Sequence, residues 1–246
     1  MMSDVAFLTL MAIAGLIAGA VASVSGFGIG SMLTPLLSVR VGTKLAVAAV
    51  SIPHLAATAF RFWLMRKHID RQLLWNFGLM SAAGGLTGAM LSIFAESPVL
   101  TMVFGGLLIF TGTMGLTGLS ERLRFRGWAA SVAGFVSGML GGLVGNQGGI
   151  RSAAMLGSDV PRHAFVATAT AVGLIVDGSR VPVYLMTQGG EIAELWPFLV
   201  TAAAGAIVGT VVGERVLRRI PEPIYRRVVS TLVLTLGVFM LLRIGQ

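Results

Sequence analysis

The sequence predicts an all-α integral membrane protein of two inverted repeats, each a broken helical hairpin followed by three transmembrane helices. Three observations carry that prediction. Apolar residues make up 55% of the 246-residue chain and charged residues only 11%, where soluble domains hold about 25% charged residues. Apolar stretches of membrane-spanning length recur from one end of the chain to the other. The order of glycines, tryptophans, prolines and arginines in the first half returns in the second.

The elements follow in order. A span needs about 20 apolar residues, while runs of about 10–14 are more often re-entrant or buried. Long runs fall at 5–24, 43–65, 73–95, 98–119, 128–145, 163–187, 195–213 and 224–242. Two short ones fall at 27–39 and 148–158. The run from Val5 to Val24 has only Asp4 before it and lacks the basic start of a signal peptide, so it is read as a retained segment. Each short run follows a long one across a glycine-rich break, Ser25-Gly26-Phe27-Gly28-Ile29-Gly30 in the first half and Gly145-Asn146-Gln147-Gly148-Gly149 in the second. Irregular backbone survives in a membrane only where protein buries it or where it lines a cavity. Each break is therefore expected to be the tip of a hairpin that dips into the protein.

A shift of 119 residues aligns Gly15, Gly19, Gly26 and Gly30 with Gly134, Gly138, Gly145 and Gly149, and Arg61 with Arg180, without a gap. Two more residues of shift align Trp75 with Trp196 and Gly84 and Gly88 with Gly205 and Gly209, and a further four align Pro98 with Pro223. The halves are placed at 1–122 and 127–246. Charge orients them. The loops around 66–71, 121–126 and 214–227 are basic and are expected on the cytoplasmic side. The repeat-equivalent of 66–71 is the connection 187–194, which carries Glu191 and Glu194 and no base. Equivalent loops thus fall on opposite sides of the membrane, and both termini outside the cytoplasm. Inverted repeats with interrupted helices are the layout of secondary transporters, whose substrate site lies at the midplane.

The residues around the breaks also carry a resemblance. Gly26-Phe27-Gly28-Ile29-Gly30 runs into Thr34-Pro35-Leu36-Leu37, and Gly145-Asn146-Gln147-Gly148-Gly149-Ile150 runs into Met155-Leu156. This duplicated pattern resembles the sulfite exporter TauE/SafE family of membrane permeases, over about residues 10–242. The second half departs from it by holding Ala154 at the position of Pro35 and Arg151 at that of Met32. The resemblance implies transport of a small sulfur-containing or organic anion such as sulfite, a sulfonate or sulfoacetate, in a cell (inner) membrane.

Candidate substrate-binding residues gather at the breaks: Gly26, Phe27, Gly28 and Gly30 in the first, and Asn146, Gln147, Gly148, Gly149 and Arg151 in the second. Glycine lets backbone approach an anion closely, and a helix beginning at a break offers unpaired N–H groups and the positive end of its dipole. A Cβ at Gly28 or Gly148 is expected to crowd the break and fill the anion's place. Arg151 carries a guanidinium fork that suits sulfonate or carboxylate oxygens, and an ionisable residue at membrane depth reads as functional. Ser25 and Thr170 are weaker candidate donors. His54, Asp177 and Arg180 are the candidates for gating, or for coupling transport to a proton or ion. Asp177 and Arg180 share a helix face, as a gating pair or as a pair at the membrane edge. Gly15 and Gly19, Gly84 and Gly88, and Gly205 and Gly209 read as packing glycines.

Other classes drop out. There is no cysteine, and the three histidines lack metal-ligand spacing, so neither a metal nor a cofactor is expected. The basic residues sit between apolar runs and not on one solvated face, which argues against a nucleic-acid partner. Without a Gly-x-Ser-x-Gly, an intramembrane protease has no nucleophile motif, and without a phosphate-binding loop the chain is no ATPase. The expected partners are a small anion and the lipid bilayer, and the expected protein is not an enzyme. A carrier is the first reading and an anion channel of the same architecture the second.

Overall fold

The computed structural model describes residues 3–119, 125, 127–155, 161–217 and 220–244. These residues are almost entirely helical, with no strand among them. In chain order the helices are α1 (Asp4–Ser25), α2 (Ile29–Val41), α3 (Thr43–Met65), α4 (Arg71–Phe94), α5 (Ser97–Thr117), α6 (Trp128–Val144), α7 (Gly148–Met155), α8 (Arg162–Glu194), α9 (Trp196–Leu217) and α10 (Glu222–Leu242). All except α2, α6 and α7 contain a stretch long and apolar enough to cross a membrane, seven in all among the described residues. The protein is an all-α, multi-pass membrane protein.

Local chemistry sets the ends. α1 stops at Gly26, which takes the left-handed conformation (φ 77, ψ 2) and returns its N–H to the Ala22 carbonyl. α6 stops in the same way at Gly145 (φ 75, ψ 7), whose N–H goes to Gly141. A side chain would strain both positions, which is why the chain has glycine there. The turn after α3 is closed by Asp70, whose carboxylate accepts the Leu73 N–H at 2.8 Å and starts α4. α4 opens with one wide turn over Leu74–Gly78.

One predicted connection is not a loop. The segment 187–194 continues α8 to Glu194, with Gln188 alone off helical geometry (φ −136, ψ 17). It holds no proline, and Ile192 is buried in the main apolar cluster, so packing carries the helix on past Gly189 and Gly190. Of the other connections, 66–71 is a short exposed turn as expected. Most of 121–126, with Arg218 and Arg219, lies outside the described residues.

The helices pair in matched sets. α1 lies along α9 and α4 along α6; α3 touches α9 and α4 touches α8; α3 packs on α8, and α5 on α10. Exchanging the two halves converts α1/α9 into α6/α4 and α3/α9 into α8/α4, and leaves α3/α8 and α5/α10 as they are. Glycines make the closest approaches. Gly15 and Gly19 sit against the backbone of Ala202 and Ala206, so α1 and α9 run parallel. Gly138 and Gly142 sit against the backbone of Ser81 and Gly85, so α6 and α4 also run parallel. The self-paired helices run the other way. His54 meets Asp177, Arg61 meets Thr170 and the His68 ring meets His163, so α3 and α8 are antiparallel. Gly105 faces Leu241 and Gly115 faces Ser230, so α5 and α10 are antiparallel as well.

The larger of two apolar clusters, from Phe7 on α1 to Met240 on α10, draws on both halves, as does the smaller one around Phe77 and Val172. Large apolar side chains also cover the outside, among them Leu79, Phe94, Val200 and Val228. In water such a surface would be costly; against acyl chains it is the expected one. Trp63, Trp75, Trp128 and Trp196 are all exposed near helix ends, where the membrane–water boundary holds aromatic rings.

Candidate functional site

The two breaks meet inside the protein. A Cβ on Gly30 would strike the carbonyl of Gly145, and one on Gly148 would strike the Phe27 side chain. The tips of both hairpins thus touch, Gly30 to Gly145 and Phe27 to Gly148. Gly26 and Gly28 of the first tip are buried, as are Asn146, Gln147 and Gly148 of the second, while Phe27 is half-buried. Ser25 closes the first tip: its hydroxyl lies 2.8 Å from the Phe27 carbonyl and 2.9 Å from that of Val21. In the second tip the Asn146 carboxamide oxygen accepts the Gly148 N–H at 3.3 Å, and Ser137 donates to the Gln147 carbonyl at 3.1 Å.

Arg151, in the first turns of α7, is 3% exposed, so it neither lies on the surface nor snorkels to it. Its Nη2 donates to the Gly26 carbonyl at 2.7 Å. The second hairpin thereby holds the left-handed turn of the first. Its Nε and Nη1 find no acceptor among the described residues. Nη1 points toward Gly173 on α8, 3.1 Å from where a Cβ would stand. Gly173 is the repeat-mate of His54, and the missing side chain makes the room that this guanidinium fills.

Behind the tips lies a charged chain. Asp177 is fully buried; its Oδ2 is 2.6 Å from His54 Nδ1, and its Oδ1 accepts from Arg180 Nε at 3.0 Å and Nη2 at 2.8 Å. Arg180 Nη1 donates to the Gly141 carbonyl at 2.7 Å, on the last turn of α6 before its tip. The Tyr184 hydroxyl donates to Gly142 next to it. Asp177 and Arg180 are therefore an interior pair tied to the second hairpin, not a pair at the membrane edge. His54 joins them from α3.

Three expectations change on contact with this geometry. The direction a Cβ would take at Gly28 is occupied by Val21, and at Gly148 by Phe27. The space at those two glycines is taken by neighbouring protein atoms. Ser25 spends its hydroxyl on the tip turn. Thr170 donates to Val166 at 2.7 Å while accepting from Arg61 Nε at 2.9 Å, so neither hydroxyl is free to bind substrate. Gly149 belongs to α7, whose backbone begins at Gly148.

Further buried polar side chains lie near the tips. Arg61 is 2% exposed, and its Nη1 has no partner among the described residues. The signal was present, since an arginine seven residues after His54 in a spanning segment is a charge at depth. Thr34 on α2 has a buried hydroxyl without a partner, as has the Asn146 amide nitrogen. Tyr184 was not legible, because a tyrosine late in a span reads as part of the aromatic belt. Away from the tips, a cavity of about 480 Å³ opens among Lys44, Leu45, Ser97, Thr187 and Glu191, where α3 and α5 begin and α8 nears its end.

Polar groups that lack partners are rare in protein interiors. Here several converge on two touching hairpin tips, and most are donors. No curated protein and no solved structure matches the chain. Residues 11–240 match the family description Sulfite exporter TauE/SafE, nearly the whole length of the sequence. The chain belongs to the sulfite exporter TauE/SafE family of membrane transporters.

Proposed function

We propose that the protein is a secondary carrier of a small anion, a sulfite, sulfonate or related sulfur-containing or organic anion. The anion is held where the two hairpin tips meet. The observation that carries this reading is the set of buried donors without acceptors beside the tips, namely Arg151 Nε and Nη1 and Asn146 Nδ2. A buried donor left unpaired costs about 1–3 kcal/mol, and more when charged. An anion seated there supplies the missing acceptors, and the α2 and α7 helix starts add their dipole ends. Gly26, Phe27, Gly28 and Gly30 build one wall; Asn146, Gln147, Gly148, Gly149 and Arg151 build the other.

Halves 1–122 and 127–246 act as inverted repeats in this reading. Support comes from the antiparallel self-pairs α3/α8 and α5/α10, since repeat-mates that run in opposite directions enter the membrane from opposite sides. The basic turn at 66–71 is then cytoplasmic, and 187–194 and both termini are outside, in a cell (inner) membrane. The cavity at Lys44 and Glu191 opens toward the outer face. Transport proceeds by alternating access, with the repeats rocking about the tips. His54, Asp177 and Arg180 gate the step, because Arg180 ties α8 to the last turn of α6 and His54 ties α3 to α8 through Asp177.

Counterflow in liposomes tests the proposal. Purified protein, preloaded with one anion, is offered sulfite, thiosulfate, sulfonates, sulfoacetate and carboxylates outside. Saturable uptake accelerated by internal anion is expected for at least one sulfur anion. A current linear in the gradient, with no counterflow, would mean a channel. No flux of any anion would sink the reading.

A further inference from the structure

Repeat symmetry is broken at two buried charges, Asp177 and Arg151. Arg180 has Asp177 three residues before it, and the two are joined at 2.8 Å. Its mate Arg61 has Thr58 at that place, so the carboxylate is missing. Arg151 has no counterpart either, since its mate is Met32. Among the described residues, the buried arginine and aspartate side chains are Arg61, Arg151, Asp177 and Arg180. Asp177 offsets Arg180, which leaves two guanidiniums without a carboxylate at hydrogen-bonding distance among the described residues.

These two stand close together. Arg61 reaches Thr170 and Arg151 reaches Gly173, neighbouring rungs on one face of α8. Thr58, one turn from Arg61 on α3, lies beside the same Gly173 position as Arg151. The guanidiniums repel each other, and Asp177 attracts both. Each keeps at least one buried N–H without an acceptor among the described residues. A single negative charge would leave one of them uncompensated in a low-dielectric interior.

We propose that Arg61, which the transport reading does not use, is the second cation of the anion site and selects doubly charged anions over singly charged ones. This rests on the proposed tip site. Arg151 holds one end of the ligand and Arg61 neutralises its second charge, as in a disulfonate, a sulfocarboxylate or an inorganic dianion. Thr170 fixes the Arg61 guanidinium, so its Nη1 edge is left for the ligand.

The test compares matched pairs of similar size: sulfate with methanesulfonate, and sulfoacetate with propanesulfonate. Affinities are measured by calorimetry on detergent-purified protein. Wild type should prefer the dianion of a pair, and Arg61→Gln should cut that preference by about tenfold, the scale of one charge-assisted contact. Arg61→Lys keeps the charge and should keep the sign of the preference. Should Arg61→Gln fail to fold, Thr58→Asp restores the carboxylate seen in the other repeat and should erase the preference with Arg61 in place. An unchanged dianion preference in either folded variant overturns the role of Arg61. Equal loss for both members of a pair overturns it too, and leaves the tip site standing. Wild-type protein that binds none of the four anions overturns the tip site itself, and this inference with it.

Discussion

Asp177 holds two partners at once, His54 at 2.6 Å and Arg180 at 2.8 Å, with no exposure to solvent. Breaking a buried ion pair by removing one partner costs about 3–5 kcal/mol, because the other charge is left uncompensated. Asp177→Asn should therefore lower the thermal midpoint in detergent and stop transport. Pairing it with Arg180→Met should recover much of the midpoint without recovering transport. A double variant no more stable than Asp177→Asn would show that the pair is not the main cost. The residue scale is also where the sequence was most legible. Arg151, Asp177 and Arg180 stood out because charge at membrane depth is expensive and needs a reason. The same rule covered Arg61. Its isolation could be read only once Thr170 was seen to take one N–H while Nη1 went without. Ser25 and Thr170 failed as ligands because a hydroxyl's partners depend on neighbours that the sequence does not reveal.

At the scale of elements, glycines decide how near helices come. A Cβ on Gly138 would stand against the carbonyl of Ser81, which is backbone and cannot turn away, whereas one on Gly189 meets nothing. Gly138→Leu should destabilise by at least about 1–3 kcal/mol, the range for overpacking, while Gly189→Ala should change the thermal midpoint little. Similar midpoints for both would contradict the packing. Gly148→Val should abolish transport by pushing Phe27 out of the tip contact, and Gly28→Val by strain at φ 134 against Val21. Wild-type flux in either well-expressed variant would count against the tips. Helices and breaks were legible because apolar length and paired glycine clusters are local signals. The run of α8 through 187–194 was not. Gly189 and Gly190 argue for a break locally, and the burial of Ile192 that overrides them is a tertiary fact.

Over the whole molecule, the packing pairs exchange under the same alignment that the sequence repeat suggested, and charge on equivalent connections has opposite sign. Together they predict opposite sides for 66–71 and 187–194. The chain has no cysteine of its own, so single cysteines at His68 and Gly190 can be labelled with an impermeant maleimide in intact cells and inverted vesicles. Labelling should occur at Gly190 from outside and at His68 from the cytoplasmic face. Labelling of both from one side would end the inverted arrangement. The central claim, an anion held by unsatisfied donors at the touching tips, is tested most directly by binding to Arg151→Met. The first repeat already carries Met32 at the equivalent place, so the fold has a precedent for that side chain. Loss of a charge-assisted contact worth about 1.5–3 kcal/mol should raise the dissociation constant about tenfold to a hundredfold. An affinity unchanged across the anion panel, in folded protein, would contradict the account.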